Sequence, residues 1–282
     1  MSGLCSLRAA MIRWDGMEEP LSREPAVEVN VVREWARQAG EIALGYFNRV
    51  EGTRKADRSL VTDADLEIEN LLAGLIRTAH PDHGIIGEEG TNEIHGEYIW
   101  AVDPLDGTRS FLSGLPVWGI SIGLIWRGQP WLGVVHLPLL DEWYYSASPA
   151  AGAFWNDQPI HCPVPQGLDE DSLLCVPGDV HLRYSISFPG VIRGLGSAAA
   201  HLCYVARGNA MAVFLDRPGL WDIAAGAAII KAAGGTLRYL EGTGDVLAGG
   251  LLDQSTLLKP LLGAHPSVID QLPAYIEPIP LP

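Results

Sequence analysis

Four strand-like runs follow one another along the chain: Tyr98–Val102, Val117–Trp126, Trp131–Leu137 and Glu142–Ala147. They are bracketed on both sides by segments of helical period, and that order limits the fold more than any other feature. Ahead of them Val31, Val32, Trp35, Ala36, Ala39, Ile42, Ala43, Tyr46 and Phe47 recur at i, i+1, i+4, i+5 spacing, which predicts an amphipathic helix with one broad apolar face. A second helix is predicted from about Asp63 to Thr78, with Leu66, Leu71, Leu72, Leu75 and Ile76 inward; Pro81 and Gly84 then punctuate the chain before the short strand Ile85-Ile86. Beyond the strands, Ser197–Arg207 and Trp221–Ala233 read as helices, and Met211–Leu215 and Thr236–Tyr239 as strands. No repeat of fixed period is present. The expected class is α/β (α+β layered), with sheets and helices stacked in layers and not closed into a barrel.

The 282 residues are enough for one large domain or two intimately packed halves. A formal charge of -15, from 34 acidic against 19 basic residues, argues against a nucleic-acid partner or an anionic membrane surface. It does not argue against a small phosphorylated metabolite, because bound divalent cations invert the local field. Cys5, Cys162, Cys175 and Cys203 are widely spaced without a CxxC pair, so reduced thiols in a cytoplasmic protein are expected in place of a zinc site or a disulfide framework. Arg8, Arg13, Asp15, Glu18 and Glu19 interrupt any apolar run near the start, so no signal peptide is expected there.

Acidic residues fall at the ends of predicted strands or the starts of helices, where a site can assemble. Glu88 follows Ile85-Ile86, Asp103 ends the run from Tyr98, Asp106 lies three residues on, and Asp222 heads an apolar helix. Hard cations such as Mg²⁺ take carboxylate and carbonyl oxygens. Asp103-Pro104-Leu105-Asp106 suits them: Pro104 stiffens the turn, and the two carboxylates and the Leu105 carbonyl can converge. If a helix begins at Gly107-Thr108, its free N–H groups favour an anion. Taken singly, Asp65 or Asp222 reads as a helix cap, Glu88-Glu89 as solvated surface, and the hexapeptide Asp103–Thr108 as an ordinary turn.

Together they resemble the inositol monophosphatase family. Its motifs are matched in order by Leu60-Val61-Thr62-Asp63-Ala64-Asp65, Ile86-Gly87-Glu88-Glu89, Val102-Asp103-Pro104-Leu105-Asp106-Gly107-Thr108, Gly196-Ser197-Ala198-Ala199 and Trp221-Asp222-Ile223-Ala224-Ala225-Gly226, across roughly residues 27–245. The resemblance implies an αβαβα sandwich and hydrolysis of a small phosphate monoester, inositol-1-phosphate-like, without a covalent intermediate. It implies two or three Mg²⁺ per site, with Mn²⁺ able to substitute, and a homodimer to which Trp118, Trp126 and Trp131 could contribute surface. Glu88, Asp103, the Leu105 carbonyl, Asp106 and Asp222 would ligate metal. Asp65 and Thr108 would orient the attacking water, with Glu88 helping to hold it. Asp106, Gly107 and Thr108 would meet the phosphate, and Gly196, Ser197 and Ala198 the alcohol portion.

The chain departs from the inositol monophosphatases ahead of Trp221, where Asp216 is the candidate for binding substrate hydroxyls but the following loop, Arg217-Pro218-Gly219-Leu220, is shorter. Lys55–Ser59 and Asp106–Gly119 look closer to the histidinol-phosphate phosphatases of the superfamily. Fructose bisphosphate, a nucleotide bisphosphate, and a non-catalytic metal-binding scaffold are the further alternatives. Arg109 either reaches a phosphate or acidic substrate group or pairs with neighbouring acids. His136 and His201, within apolar stretches, are expected to be packed and hydrogen-bonded. Residues 1–25 are expected to form a loose leader, 26–160 an α+β half with the metal site, 161–265 an α/β half completing the substrate site, and 266–282 a tail.

Overall fold

Helix α1 (Val29–Tyr46) buries the stripe Val32, Trp35, Ala36, Ala39 and Ala43 that its spacing predicts. Helix α2 (Asp63–Ala79) starts where Thr62 accepts a hydrogen bond on its hydroxyl from the Ala64 amide at 3.2 Å. Asp65 reaches back to accept from the Thr62 amide at 2.7 Å, completing a capping box. The buried face of α2 runs through Ala64, Ile68, Leu72 and Ile76. Leu66, expected inward, is 45% exposed, because two residues from Ile68 amounts to about 200° around a helix. The computed structural model describes residues 24–55, 60–242, 244, 246–251 and 259–280; the expected leader lies almost wholly outside these, as do Cys5 and residues 56–59.

A short pair, β1 (Thr53–Arg54) and β2 (Leu60–Val61), lies between the two helices in sequence. Eight strands then build the main sheet: β3 (Gly84–Gly87), β4 (Asn92–Glu93), β5 (Tyr98–Asp106), β6 (Gly119–Trp126), β7 (Gln129–Leu137), β8 (Glu142–Ser146), β9 (Ala153–Trp155) and β10 (Gln158–Ile160). Their spatial order is β10-β9-β8-β7-β6-β5-β3-β4, antiparallel throughout except where β3 pairs with β5. The second sheet takes β11 (Leu173–Cys175), β13 (Val191–Arg193), β14 (Ala212–Leu215), β15 (Thr236–Tyr239) and β16 (Leu261–Ala264) in the order β13-β11-β14-β16-β15. Outside it, β12 (Tyr184–Ile186) pairs with β17 (Ile276–Pro278).

Three cores set the layers. Helices α1 and α2 cover one face of the main sheet through Trp35, Ile68, Leu72, Trp100 and Leu124. Helices α4 (Ala198–Arg207) and α5 (Leu220–Ala232) fill the space between the sheets. Turns of 3₁₀ helix at Val180–Leu182 and Ile269–Tyr275 close the far face of the second sheet over Phe214 and Leu262. The succession is the expected αβαβα. The stretch from residue 266, expected to be a tail, is instead part of this last layer: Val268, Ile269, Leu272 and Ile276 are buried and β17 is paired. Trp118, expected to offer surface, is wholly buried with its ring 4.9 Å from Phe111 and 5.5 Å from Phe47. Cys162, Cys175 and Cys203 are free and buried. No helix among the described residues is long and apolar enough to cross a membrane.

Helix α5 is apolar all round, as a helix between two sheets must be. Its close seat depends on two glycines of the main sheet: a Cβ on Gly133 would fall 2.2 Å from the Ala225 carbonyl oxygen, and one on Gly123 2.6 Å from the Ala225 amide nitrogen. The Ser121 hydroxyl donates to the Trp221 carbonyl at 3.3 Å. The first turn of α5, with Asp222, is thereby held over the ends of β5 and β6.

Candidate active site

The site forms where β5 ends. Pairing of β5 with β6 slips between Asp103 and Asp106, on either side of Pro104, which has no N–H to give to a ladder. Asp103 accepts the Leu105 amide at 2.9 Å and is almost wholly buried. Asp222, at the third position of α5, accepts the Gly219 amide at 2.7 Å. Asp103, Asp106 and Asp222 each offer a carboxylate oxygen, and these oxygens all lie within 4.8 Å of one another. Glu88 closes the fourth side from the end of β3, its carboxylate 3.3 Å from the Lys55 ammonium, which also holds Glu89 at 2.7 Å.

Asp65, predicted to act with Thr108, meets it: the Thr108 hydroxyl lies 3.4 Å from Asp65 Oδ1 and 3.2 Å from the Leu105 carbonyl oxygen. The other Asp65 oxygen is occupied by the Thr62 amide and hydroxyl. One carboxylate thus both starts α2 and faces the site.

Concentrated acid is costly without a counter-charge. Burial, then the Asp222 charge, pushes the Glu88 carboxyl up to about 8 against the partial relief of Lys55. Burial and Asp106 push Asp222 up to about 7. Asp106 rises to about 6 through burial, held there by the donors Ser197, Ala199 and Ala198. Asp103 is driven well above the ordinary carboxylate range by burial and then by Glu88, Asp106 and Asp222. Burial also raises Asp65 against the Thr62 hydrogen bonds. No salt bridge reaches Asp103, Asp106 or Asp222 from a described residue. Oxygen donors so close, so buried and so short of positive charge fit a hard divalent cation.

A cavity of about 230 Å³ opens on this cluster, lined on one side by Glu88, Asp103, Asp106, Gly107, Thr108 and Asp222 and on the other by Pro177, Gly178, Gly196, Ala198, His201 and Leu215. Gly107 has φ 95° and caps the five-residue helix α3 (Thr108–Leu112); a Cβ there would stand 2.9 Å from the Gly196 carbonyl. The two halves of the site therefore meet backbone to backbone.

The predicted substrate residues divide. Gly196 and Ala198 line the cavity. Ser197 is fully buried and caps α4 through the Ala200 amide at 3.0 Å, while its hydroxyl donates to Asp106. The amides of Ala198 and Ala199 also donate to Asp106, at 3.1 and 2.7 Å. This tie between β5 and α4 escaped sequence reasoning, because no spacing links Asp106 to a residue 91 positions on. Asp216, expected to meet substrate hydroxyls, has a side chain only 2% exposed, and Arg183, Tyr184 and Arg217 occupy its carboxylate. Its charge is committed to these protein partners. Arg109 is 65% exposed with Asp179 4.0 Å away, the neighbouring-acid alternative of its two readings. Lys55, to which the sequence assigns no role, is the cation at Glu88. His136 is packed as expected, stacked 3.6 Å from Trp143 and 3.3 Å from the Ala36 carbonyl. His201 is buried, with Nε2 accepting the Leu195 amide at 3.1 Å.

The inositol monophosphatase family model matches residues 25–270. The chain belongs to the inositol monophosphatase family. A protein named Nus factor SuhB from Xylella fastidiosa is 34% identical over 239 residues, covering 78% of this chain and 84% of that one. A histidinol-phosphatase from Chlorobaculum parvum is 31% identical over 233 residues, covering 79% and 89%. Among solved structures, the IMPase of Thermotoga maritima superposes with a TM-score of 0.76 at 28% identity, covering 87% of this chain and 95% of that one. As a family member the chain is a phosphatase, with its acidic cluster where such an enzyme can hold metal.

Proposed function

We propose that this inositol monophosphatase family enzyme hydrolyses a small, inositol-1-phosphate-like phosphate monoester with Mg²⁺, for which Mn²⁺ can substitute. The reading is carried by the convergence of Asp103, Asp106 and Asp222 beside the Asp65–Thr108 pair. Glu88, Asp103, the Leu105 carbonyl, Asp106 and Asp222 would hold two or three cations. Bound there, such cations lower the pKa of a ligated water and offset charge on the phosphoryl oxygens. Asp65 and the Thr108 hydroxyl orient the attacking water, and Asp65 is placed to draw off its proton. Gly107 lines the cavity ahead of α3, where a phosphoryl group would lie against its backbone. The alcohol portion would lie towards Gly196 and Ala198. A homodimer is proposed with it, to be read by light scattering.

A second substrate, histidinol phosphate, is favoured by one observation: the Asp216 carboxylate is already taken by Arg183, Tyr184 and Arg217 and is not free for polyol hydroxyls. Competition between the two substrates decides. With Mg²⁺ present, a kcat/KM for inositol 1-phosphate at least about tenfold above that for histidinol phosphate, a difference of roughly 1.4 kcal/mol, is expected on the first reading. The reverse ratio would assign the enzyme to the second.

A further inference from the structure

Four residues after Asp65, one turn further along the same face of α2, lies Glu69. It is 5% exposed. Both of its carboxylate oxygens are used, and among the described residues neither by a cation: Oε2 accepts the Glu89 amide at 2.7 Å and Oε1 the Thr91 amide at 2.9 Å. Charge-assisted bonds from a buried carboxylate to two amides are stronger than neutral ones. They grip the turn that follows β3 immediately after Glu88. Gly87, on the other side of Glu88, packs directly on the same carboxylate, where an added Cβ would stand 2.4 Å from Glu69 Oε2. The backbone on both sides of Glu88 is therefore fixed against one side chain of α2.

We propose that Glu69 is a positioning residue for the metal site. It sets the backbone from Gly87 to Thr91 so that the Glu88 side chain faces Asp103 and Asp222, and it does so from the helix that also presents Asp65. Through α2 the water-orienting carboxylate and the ligand furthest from the Asp103–Asp106 turn share one rigid support. Lys55 cannot perform this task, since its ammonium bonds to the side chains of Glu88 and Glu89 and leaves their backbone untouched. The inference rests on the proposed metal-dependent phosphatase reading and adds a residue to it that touches neither metal nor substrate.

The test is a divalent-cation binding isotherm on the full chain without substrate, read by Mn²⁺ electron paramagnetic resonance, for wild type, Glu69→Gln and Glu69→Asp. Glutamine keeps the shape but turns one acceptor into a donor facing an amide N–H; aspartate keeps the charge but falls short. Loss of such supporting contacts weakens metal affinity by about 10–100-fold, and both variants should show a loss of that size. With Mg²⁺ in turnover, the cation concentration for half-maximal rate should rise by the same factor, and kcat at saturating Mg²⁺ should largely recover. A purely structural Glu69 would lower the melting temperature and leave both metal constants where they are, and that outcome overturns the proposal. A wild-type chain that binds no Mn²⁺ at all overturns the metal reading as well, which keeps the two failures distinct. Should Glu69→Gln not fold, Glu69→Asp carries the same comparison.

Discussion

Asp103→Asn and Asp222→Asn should each lower turnover by at least about 10³-fold, roughly 4 kcal/mol of barrier, while the metal-free protein becomes more stable than wild type. Both parts come from the same geometry. Each carboxylate supplies an oxygen to a set spanning no more than 4.8 Å. Removing one charge leaves any cation there under-neutralised, and a phosphoryl transition state depends on positioning and charge compensation. The local backbone survives the change, because the asparagine oxygen can still accept the Leu105 amide at position 103 or the Gly219 amide at position 222. Without metal, the wild-type carboxylates repel one another in a buried place. Relief of one such charge should add about 1–2 kcal/mol, or about 2–8 °C in melting temperature for a protein of this size. Phosphate release and a thermal melt in EDTA read the two parts separately. A variant that is inactive because it has unfolded, or active at the wild-type rate, contradicts the assignment.

The second large effect is a pH dependence whose sign depends on metal. In the unfolded chain the site carboxylates titrate at their ordinary values of 3.8 and 4.5, whereas in the fold Asp222 is raised to about 7 and Glu88 to about 8. The folded metal-free protein therefore binds more protons than the unfolded chain between these values, and its stability falls as pH rises through them. Half-buried His83 and buried His136 and His201, each lowered from 6.5 to about 4, act in the opposite sense, but only below 6.5, where the unfolded chain takes up their protons. Above about 6.5 the carboxylates act alone, so the stability of the metal-free protein declines from there to about 8. Cations bind the deprotonated ligands and release protons, so the stabilisation by Mg²⁺ should grow over the same interval. Melting temperatures in EDTA and in Mg²⁺ at several pH values check this. A metal-free protein that gains stability between pH 6.5 and 8 would show that the cluster is not the source.

The long elements and the metal end of the site were legible in the sequence because they are written in local periods and adjacent residues. Helices α1, α2, α4 and α5 lie close to where their apolar spacing puts them, and Asp103, Asp106, Asp222, Glu88 and the Asp65–Thr108 pair come together. Two- and three-residue strands such as β9 to β13 are too short to show a period, and the 3₁₀ segment Ile269–Tyr275, with Pro273 inside it, has neither helical nor strand spacing. That is why the last layer was expected to be a tail. The residues that support the site were illegible for another reason. Ser197 acts on Asp106, Glu69 on the turn after Glu88 and Lys55 on Glu88 across long separations, and a hydrogen bond between distant segments leaves no mark in either one. Asp216 shows the converse: its position ahead of Trp221 suggested a ligand contact, while Arg183 and Tyr184, more than thirty residues away, decide where its carboxylate goes.

Inorganic phosphate release from inositol 1-phosphate and histidinol phosphate in Mg²⁺, then in EDTA, then with Mg²⁺ restored, tests whether Asp103, Asp106 and Asp222 build a divalent-cation phosphatase. At least one monoester should be hydrolysed in Mg²⁺, stop in EDTA and resume on restoration, with Asp103→Asn silent throughout. Release that continues undiminished in EDTA, or that Asp103→Asn sustains at the wild-type rate, would contradict it.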